Sequence, residues 1–548
     1  MSRVYYRGMI DFCNYACSYC PFAKKRSSEE KIEKEKASLQ QLYDRVRKMQ
    51  EVELMFTPYG EALVHDFYQE ELIRFAKLPN VRAVGIQTNL SLDSEKFLLK
   101  IKGPSDKIKF WATYHCEYAN LDHFAEKANQ LSKKLELSVG MVASGENLDE
   151  IRILRRRLSP EIYLWLNAMD KRKYSFSKEQ IMRHCEIDPM FIYEFRQGRE
   201  KSLHPFARCR SYDHLYIDNG ICSSNCFFKK KRLISEDCND HKRCDCYLGY
   251  SNFQDTPVAN FFGSGLTFRV PQKRQYKALF IDLDGILTKS NGQLREDLES
   301  TLSLLSQKAK LYLATARNLS SAQTKLGKYM RYFSGGIFSD GALTMDFEKG
   351  DERIIPLEKE LLEDLVSMLN QKNDDLSEKN RDPQENSLTK ETEMTAKFPR
   401  RARIPGVLWE DRRGDKILRV RIKAELAKEF AREGAGFKAA SAFDPMEQGA
   451  VKIQKQEIHK MKHTGSKLRR YGNRCYIQSE EAGKKNGMLF LMAAHGWKKE
   501  EVFFISDNPQ DDEVFRAFPY TATPMGTKDV EGLAYYELDL SHLGFIIR

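Results

Sequence analysis

Over its first two hundred residues the chain alternates short apolar runs with amphipathic stretches. The runs at 4–10, 52–57, 81–87, 108–114, 137–142 and 162–166 have the length and composition of strands. Between them, 32–49 and 121–135 repeat apolar residues at helical spacing, the second opening after Asn120 as an N-cap. This alternation predicts a parallel sheet with crossover helices, and six such units fit an open, partial barrel. The rhythm breaks over 204–255, where cysteines crowd and helical spacing is lost. A stretch bearing Gly, Pro and Phe, 256–275, reads as a linker. The apolar run Tyr276-Lys277-Ala278-Leu279-Phe280-Ile281-Asp282 then restarts the alternation to about residue 344. Residues 371–397 are polar, charged and almost without large apolar side chains, as in a disordered surface insertion.

Composition narrows the setting. A chain of 548 residues is too long for one core and suggests roughly three or four domains. No apolar run approaches the ~20 residues of a membrane span, and the N-terminal residues lack a signal-peptide pattern, so a cytoplasmic protein without membrane contact is expected. The net charge of +11 suits nucleic acids, acidic surfaces or phosphorylated small molecules alike. Lys229-Lys230-Lys231-Arg232 carries no interleaved aromatics, which argues against nucleic acid. Twelve cysteines in a reducing compartment are not a disulfide framework; clustered as these are, they point to a metal or an iron–sulfur cluster.

Cys13-Asn14-Tyr15-Ala16-Cys17-Ser18-Tyr19-Cys20 spaces three thiols on a loop after the first strand. Three thiolates can hold three irons of a [4Fe–4S] cube and leave the fourth open, whereas zinc would recruit a fourth protein ligand. This segment resembles the radical S-adenosylmethionine (SAM) superfamily, with Tyr19 as the aromatic residue before the last cysteine. The resemblance spans roughly the first 200 residues and implies SAM on the open iron, reductive cleavage, and hydrogen abstraction. Phe56-Thr57-Pro58-Tyr59-Gly60-Glu61 is similar to the family's Gly-Gly-Glu segment, with Tyr59 in place of the first glycine. Gln87-Thr88-Asn89 resembles the Thr-Asn found after its third strand. Tyr19, Gly60, Glu61 and Asn89 are thus the expected cofactor-binding residues, and His115 ends the fourth strand as a polar tip. A one-electron reductant such as flavodoxin or ferredoxin is implied as a partner.

Farther on, Cys209, Cys222, Cys226, Cys238, Cys244 and Cys246 look like an auxiliary-cluster extension of some radical SAM enzymes. Cys209, Cys226, Cys244 and Cys246 are one choice of ligands for a second [4Fe–4S] cluster; zinc remains the alternative.

Phe280-Ile281-Asp282-Leu283-Asp284-Gly285 places two carboxylates two apart at the end of an apolar strand, where open α/β sheets bind ligands. A carboxylate attacking phosphorus needs Mg²⁺ to bring two anions together, and Mg²⁺ needs further carboxylates. Ser506-Asp507-Asn508-Pro509-Gln510-Asp511 supplies them after another apolar run. Over 276–548 the chain resembles the haloacid dehalogenase (HAD) phosphatases. The resemblance implies Asp282 as nucleophile, Asp284 as general acid, and Asp507 on Mg²⁺ with Asp511 in support; Asp282 and Asp284 also belong to the metal set. It makes Thr315, in Leu313-Ala314-Thr315-Ala316-Arg317, the phosphoryl contact and Lys485 the charge-neutralising lysine, Lys484 being the adjacent alternative. Ile286 stands where the family commonly has threonine. Gly406-Val407-Leu408-Trp409-Glu410-Asp411-Arg412 is similar to a cap strand of trehalose- and sucrose-phosphate phosphatases.

The fold expected is therefore α/β: a partial (β/α)6 TIM-like barrel (1–203), a cysteine-rich extension (204–255) and a linker (256–275). A Rossmann-like HAD core (276–344 and 481–548) follows, interrupted by an α+β cap (345–480). The function expected is radical chemistry plus hydrolysis of a small phosphorylated molecule, a sugar or nucleoside phosphate. The alternative is a peptide- or protein-modifying radical enzyme whose HAD domain is regulatory.

Overall fold

The computed structural model describes residues 2–20, 28–101, 105–169, 175–195, 214–219, 221–224, 247, 251–252, 256–358, 407–413, 416–422, 438–439, 466–471, 474–527, 530 and 532–548. Two compact units emerge, Met1–Gln275 with Tyr535–Arg548, and Tyr276–Ala534.

The first unit is built on β1 (Ser2–Arg7), β2 (Val52–Phe56), β3 (Val81–Thr88), β4 (Ile108–Tyr114), β5 (Glu136–Ala143), β6 (Leu164–Ala168), β7 (His214–Asp218) and β8 (Ile221–Ser224). Their order is β6-β5-β4-β3-β2-β1-β7-β8, and every pair is parallel except β7–β8. A helix follows each of the first six strands, as the alternation predicts. Helix 121–132 begins where the sequence suggests: the Asn120 side chain accepts the His123 N–H at 3.0 Å. Because a strand turns successive residues to opposite faces, Val4, Leu54 and Val84 share one face, while Tyr5, Met55 and Gly85 share the other. Helices cover the first face; the Tyr6 hydroxyl donates to Ser38 at 2.9 Å, and Phe56 meets Phe75 edge-on.

The second face is closed by the segment expected to be a linker. Residues 257–262 form a helix, Phe261, Phe262 and Phe268 are buried, and a side chain on Gly85 would overlap the Phe268 ring. Thr267 Oγ1 donates to Glu53 at 2.8 Å, and the Arg269 guanidinium sits over Trp111, Trp165 and Tyr247. Burying three phenylalanines outweighs the turn-forming Gly and Pro that suggested a free connection. The C-terminal stretch also differs from expectation. Residues 535–548, read as part of the HAD core, belong to the first unit: Tyr193 donates to Glu537 at 3.1 Å, and Phe545 meets Tyr163 edge-on.

The second unit holds β9 (Ala278–Ile281), β10 (Lys310–Ala314), β11 (Phe333–Phe338), β12 (Leu343–Asp346) and β13 (Glu352–Ile354), then β19 (Val502–Ile505) and β20 (Thr521–Thr523). They are ordered β13-β12-β11-β10-β9-β19-β20, with β12 antiparallel to both neighbours. The central strand β9 is flanked by β10 from before the intervening segment and β19 from after it, so their C-terminal ends share one edge. A second sheet carries β14 (Val407–Arg413), β15 (Lys416–Ile422), β16 (Lys438–Ala439), β17 (Ser466–Tyr471) and β18 (Arg474–Ser479), in the order β14-β15-β18-β17-β16. This separate sheet lies within 345–480, the segment expected to form a cap. The 371–397 insertion lies outside the described residues.

Candidate active sites

In the first unit the C-terminal ends of β1 to β4 carry the residues singled out from the sequence. Cys13, Cys17 and Cys20 lie on the loop after β1 as free thiols. Burial pushes Cys13 and Cys17 up, and the neighbouring thiols add to it, so all three are close enough to sense one another. Cys17 Sγ is 3.5 Å from His115 Nδ1, and the Tyr19 hydroxyl is 2.9 Å from the same nitrogen, with the two rings stacked. Burial lowers His115 to about 4, which leaves a neutral imidazole beside the thiols at neutral pH.

Glu61 is buried in the loop after β2 and accepts from Thr88 Oγ1 at 2.9 Å, from Leu63 N at 3.1 Å, and from the Asn89 N–H. It thereby ties the loop after β2 to the loop after β3. With only neutral donors around it, burial raises it to about 7. Gly60 packs against the Phe12 carbonyl so closely that any side chain would overlap it, which brings this turn onto the cysteine loop. Asn89 Nδ2 reaches the same loop, donating to Asn14 Oδ1 at 2.9 Å. Glu35 was not singled out from the sequence. It reaches from helix 29–46 to accept the Met9 N–H at 2.6 Å, anchoring the approach to Cys13. A glutamate at the core-facing spacing of an amphipathic helix was its only signal.

Among the described residues, no three His, Cys, Asp or Glu side chains converge as a finished metal site. The donor sets fit nonetheless. Three thiols gathered on one loop beside a glycine-backed turn suit an iron–sulfur cluster. Of the four residues chosen for an auxiliary centre, Cys209, Cys226, Cys244 and Cys246, all lie outside the described residues.

In the second unit Asp282 ends β9, Thr315 ends β10 and Asp507 follows β19, so the switch point brings them to one edge. Lys484 Nζ is 2.5 Å from Asp282 Oδ2 and 2.7 Å from Asp511 Oδ2, all three side chains being buried. Ser506 Oγ lies within hydrogen-bond distance of both carboxylates, at 2.9 and 2.6 Å. Burial raises Asp282 against the pull of Lys484, and Asp511 and Asp507 push it the same way. Asp507 is itself raised by burial and lies against Gly285, where a side chain would overlap its carboxylate. This cluster of oxygen donors fits a hard cation.

The lysine that meets Asp282 and Asp511 is Lys484, the adjacent alternative to Lys485. Helix 484–495 starts at Lys484, with Gly483 wedged against Gly341, and this turns its first residue inward. Lys485 is only half-buried, one position round the helix. Asp284 is half-exposed and held by Arg317, Nε at 2.9 Å and Nη2 at 2.8 Å. Thr315 is fully buried, its Oγ1 accepting the Arg317 N–H at 3.0 Å. Sequence reasoning missed Ser506 and Asp340. The first sits in the quoted Asp507 segment without an assigned role, and the second, a further acid favouring charged Lys484, is marked only by the turn-forming Ser339-Asp340-Gly341.

Two sites of different chemistry, one of gathered thiols and one of carboxylates around a buried lysine, define an enzyme. The family model of the Radical SAM superfamily matches residues 9–110, and that of haloacid dehalogenase-like hydrolases matches residues 279–523. The chain joins a radical SAM region to a HAD-like hydrolase region. No curated protein matches it. Similar solved structures include TM0651 from Thermotoga maritima, at 16% identity, covering 45% of this chain and 86% of that one, with a TM-score of 0.30. The HAD subclass IIB sugar phosphatase BT4131 shows 14% identity over 49% of this chain and all of its own, at a TM-score of 0.33. A haloacid dehalogenase-like hydrolase from B. subtilis shows 14% identity over 49% of this chain and 98% of its own, also at 0.33.

Proposed function

We propose a bifunctional enzyme that cleaves SAM reductively at the first site and hydrolyses a phosphoester through an aspartyl-phosphate at the second. The observation that carries the hydrolytic half is the buried Asp282–Lys484–Asp511 cluster at the switch point.

At the first site, Cys13, Cys17 and Cys20 would hold a [4Fe–4S] cluster with SAM on its open iron. When bound, that pair supplies one-electron cleavage of the sulfonium and hydrogen abstraction. The chain's part is placement. Glu61 binds the loops after β2 and β3 together, Gly60 allows close approach, and Tyr19 and His115 form an uncharged wall that excludes water. A flavodoxin- or ferredoxin-like protein would supply the electron, as befits a cytoplasmic enzyme.

At the second site, Asp507 and Asp511, with Asp282 and Asp284, would hold Mg²⁺, which supplies charge neutralisation when bound. Asp282 attacks phosphorus through a carboxylate oxygen, the bond to the leaving oxygen breaks, and that oxygen takes a proton from Asp284. A water then attacks phosphorus with Asp284 accepting its proton, which releases phosphate and restores Asp282. Lys484 fixes the Asp282 carboxylate and offsets phosphoryl charge; Thr315 donates to the phosphoryl group. Asp284 must leave Arg317 to reach the leaving oxygen. The likeness of 406–412 to a cap strand of trehalose- and sucrose-phosphate phosphatases favours a polar substrate such as a sugar or nucleoside phosphate.

The test is 5′-deoxyadenosine release from SAM by anaerobically reconstituted, reduced protein, alongside Mg²⁺-dependent phosphate release from generic phosphoesters. Release of both by the wild type is expected. A full iron complement with no SAM cleavage in the presence of phosphorylated metabolites would overturn the first half. Absence of phosphate release at any divalent metal concentration would overturn the second.

A further inference from the structure

At the end of β11, Ser339 and Asp340 have φ of 51° and 54°, and Gly341 follows at 89°. This left-handed region is costly for residues other than Gly, Asn and Asp, and a serine held there inside a fold must be over-determined by its contacts. Both Ser339 and Asp340 are buried. Their contacts arrive from three directions.

From the core, the Ser339 N–H donates to the Arg317 carbonyl at 2.8 Å, and the Asp340 N–H to the Thr315 carbonyl at 3.1 Å. From the cap, Asp411 on β14 accepts the Ser339 hydroxyl and pairs with Arg419 on β15 at 3.3 Å. Gln478 on β18 donates from Nε2 to Asp340 Oδ2 at 3.1 Å. From the helix, Gly483 packs against Gly341 with no room for a side chain, one residue before Lys484.

We propose that Ser339 and Asp340 register the cap on the phosphoryl site, with Asp411 and Gln478 as the positioning residues that hold it there. Two cap strands meet two consecutive core residues, so the cap cannot shift without breaking both attachments or moving the turn. The turn's amides are tied to Thr315 and Arg317, the phosphoryl contact and the holder of Asp284. Cap position is therefore transmitted to the groups that bind the phosphoryl oxygens and release the acid. The kinetic part of this inference rests on the hydrolase reading above; the structural part does not.

The decisive experiment is a charge exchange across the contact in the full-length protein, with p-nitrophenyl phosphate and Mg²⁺ as the kinetic probe. Gln478→Glu sets a carboxylate against Asp340 and is expected to lower kcat/KM about tenfold. Amide exchange of 416–422 and 474–479 should rise with it. Adding Asp340→Asn keeps a residue that tolerates the left-handed backbone and restores a donor facing Glu at 478. The double variant should return to within about threefold of wild type, with its exchange protection regained. A double variant no better than the single one would overturn the proposal, as would a single variant matching wild type in both rate and exchange. If the wild type hydrolyses nothing, the hydrolase reading falls and the exchange measurements alone decide registration.

Discussion

The two sites handle charge in opposite ways. In the second unit a buried ammonium already balances two buried carboxylates, and a serine hydroxyl bridges them. In the first, the buried carboxylate of Glu61 meets neutral donors only, His115 is held neutral, and Cys13 and Cys17 are pushed toward their protonated form. One site is assembled by its own ion pairs. The other surrounds its buried carboxylate with neutral donors alone. Burial raises acids in both places, yet only in the second does the protein supply the compensating cation.

The sharpest way to break this comparison is to remove each reactive group in turn. Asp282→Asn should reduce phosphate release at least about a thousandfold and leave SAM cleavage intact, while Cys17→Ala does the reverse. A single substitution that silences both activities in folded protein would dissolve the distinction. Chelation with EDTA should likewise stop only phosphate release, read in parallel assays on one preparation.

Next in size is the lysine. Lys484→Met strands two buried carboxylates and should cost the second unit about 3–5 kcal/mol in urea unfolding, besides abolishing hydrolysis. Lys485→Met should stay within about twofold in rate and ±0.5 kcal/mol in stability. Equal effects at both positions would place the site lysine wrongly.

A smaller effect is expected from Arg317→Ala, which frees Asp284 but removes its anchor. A change of about tenfold in kcat, with little change in melting temperature, would mark the pair as functional. The smallest concerns pH. Glu61, raised to about 7 in the fold, favours folding most below its ordinary value near 4.5, and this contribution is lost as pH rises through 7. Glu61→Gln in cluster-free protein should flatten that loss, on the order of 2–3 kcal/mol between pH 4.5 and 7. An unchanged pH profile would show that a cation reaches Glu61 after all.

Much of this was legible in the sequence because it is local. Strands announced themselves as apolar runs, the Asn120 cap as a polar residue before a periodic stretch, and both acid pairs as motifs at strand ends. What stayed hidden depends on contacts distant along the chain. Lys484 and Lys485 are indistinguishable by spacing; the approach of Gly483 to Gly341 selects the first. The 256–275 segment has the Gly and Pro of a connection, and only the open space beside Gly85 makes Phe268 a core residue. Asp340 acquires meaning from Gln478, 138 residues away.

The assignment of residues 535–548 to the first unit has a consequence for biosynthesis. A ribosome delivers the β-strands and helices of 1–275 before 535–548, yet Glu537, His542 and Phe545 reach their partners Tyr193, Glu186 and Tyr163 only after residues 276–534 have been made. The first unit therefore waits, incomplete along one side, until the second unit has emerged.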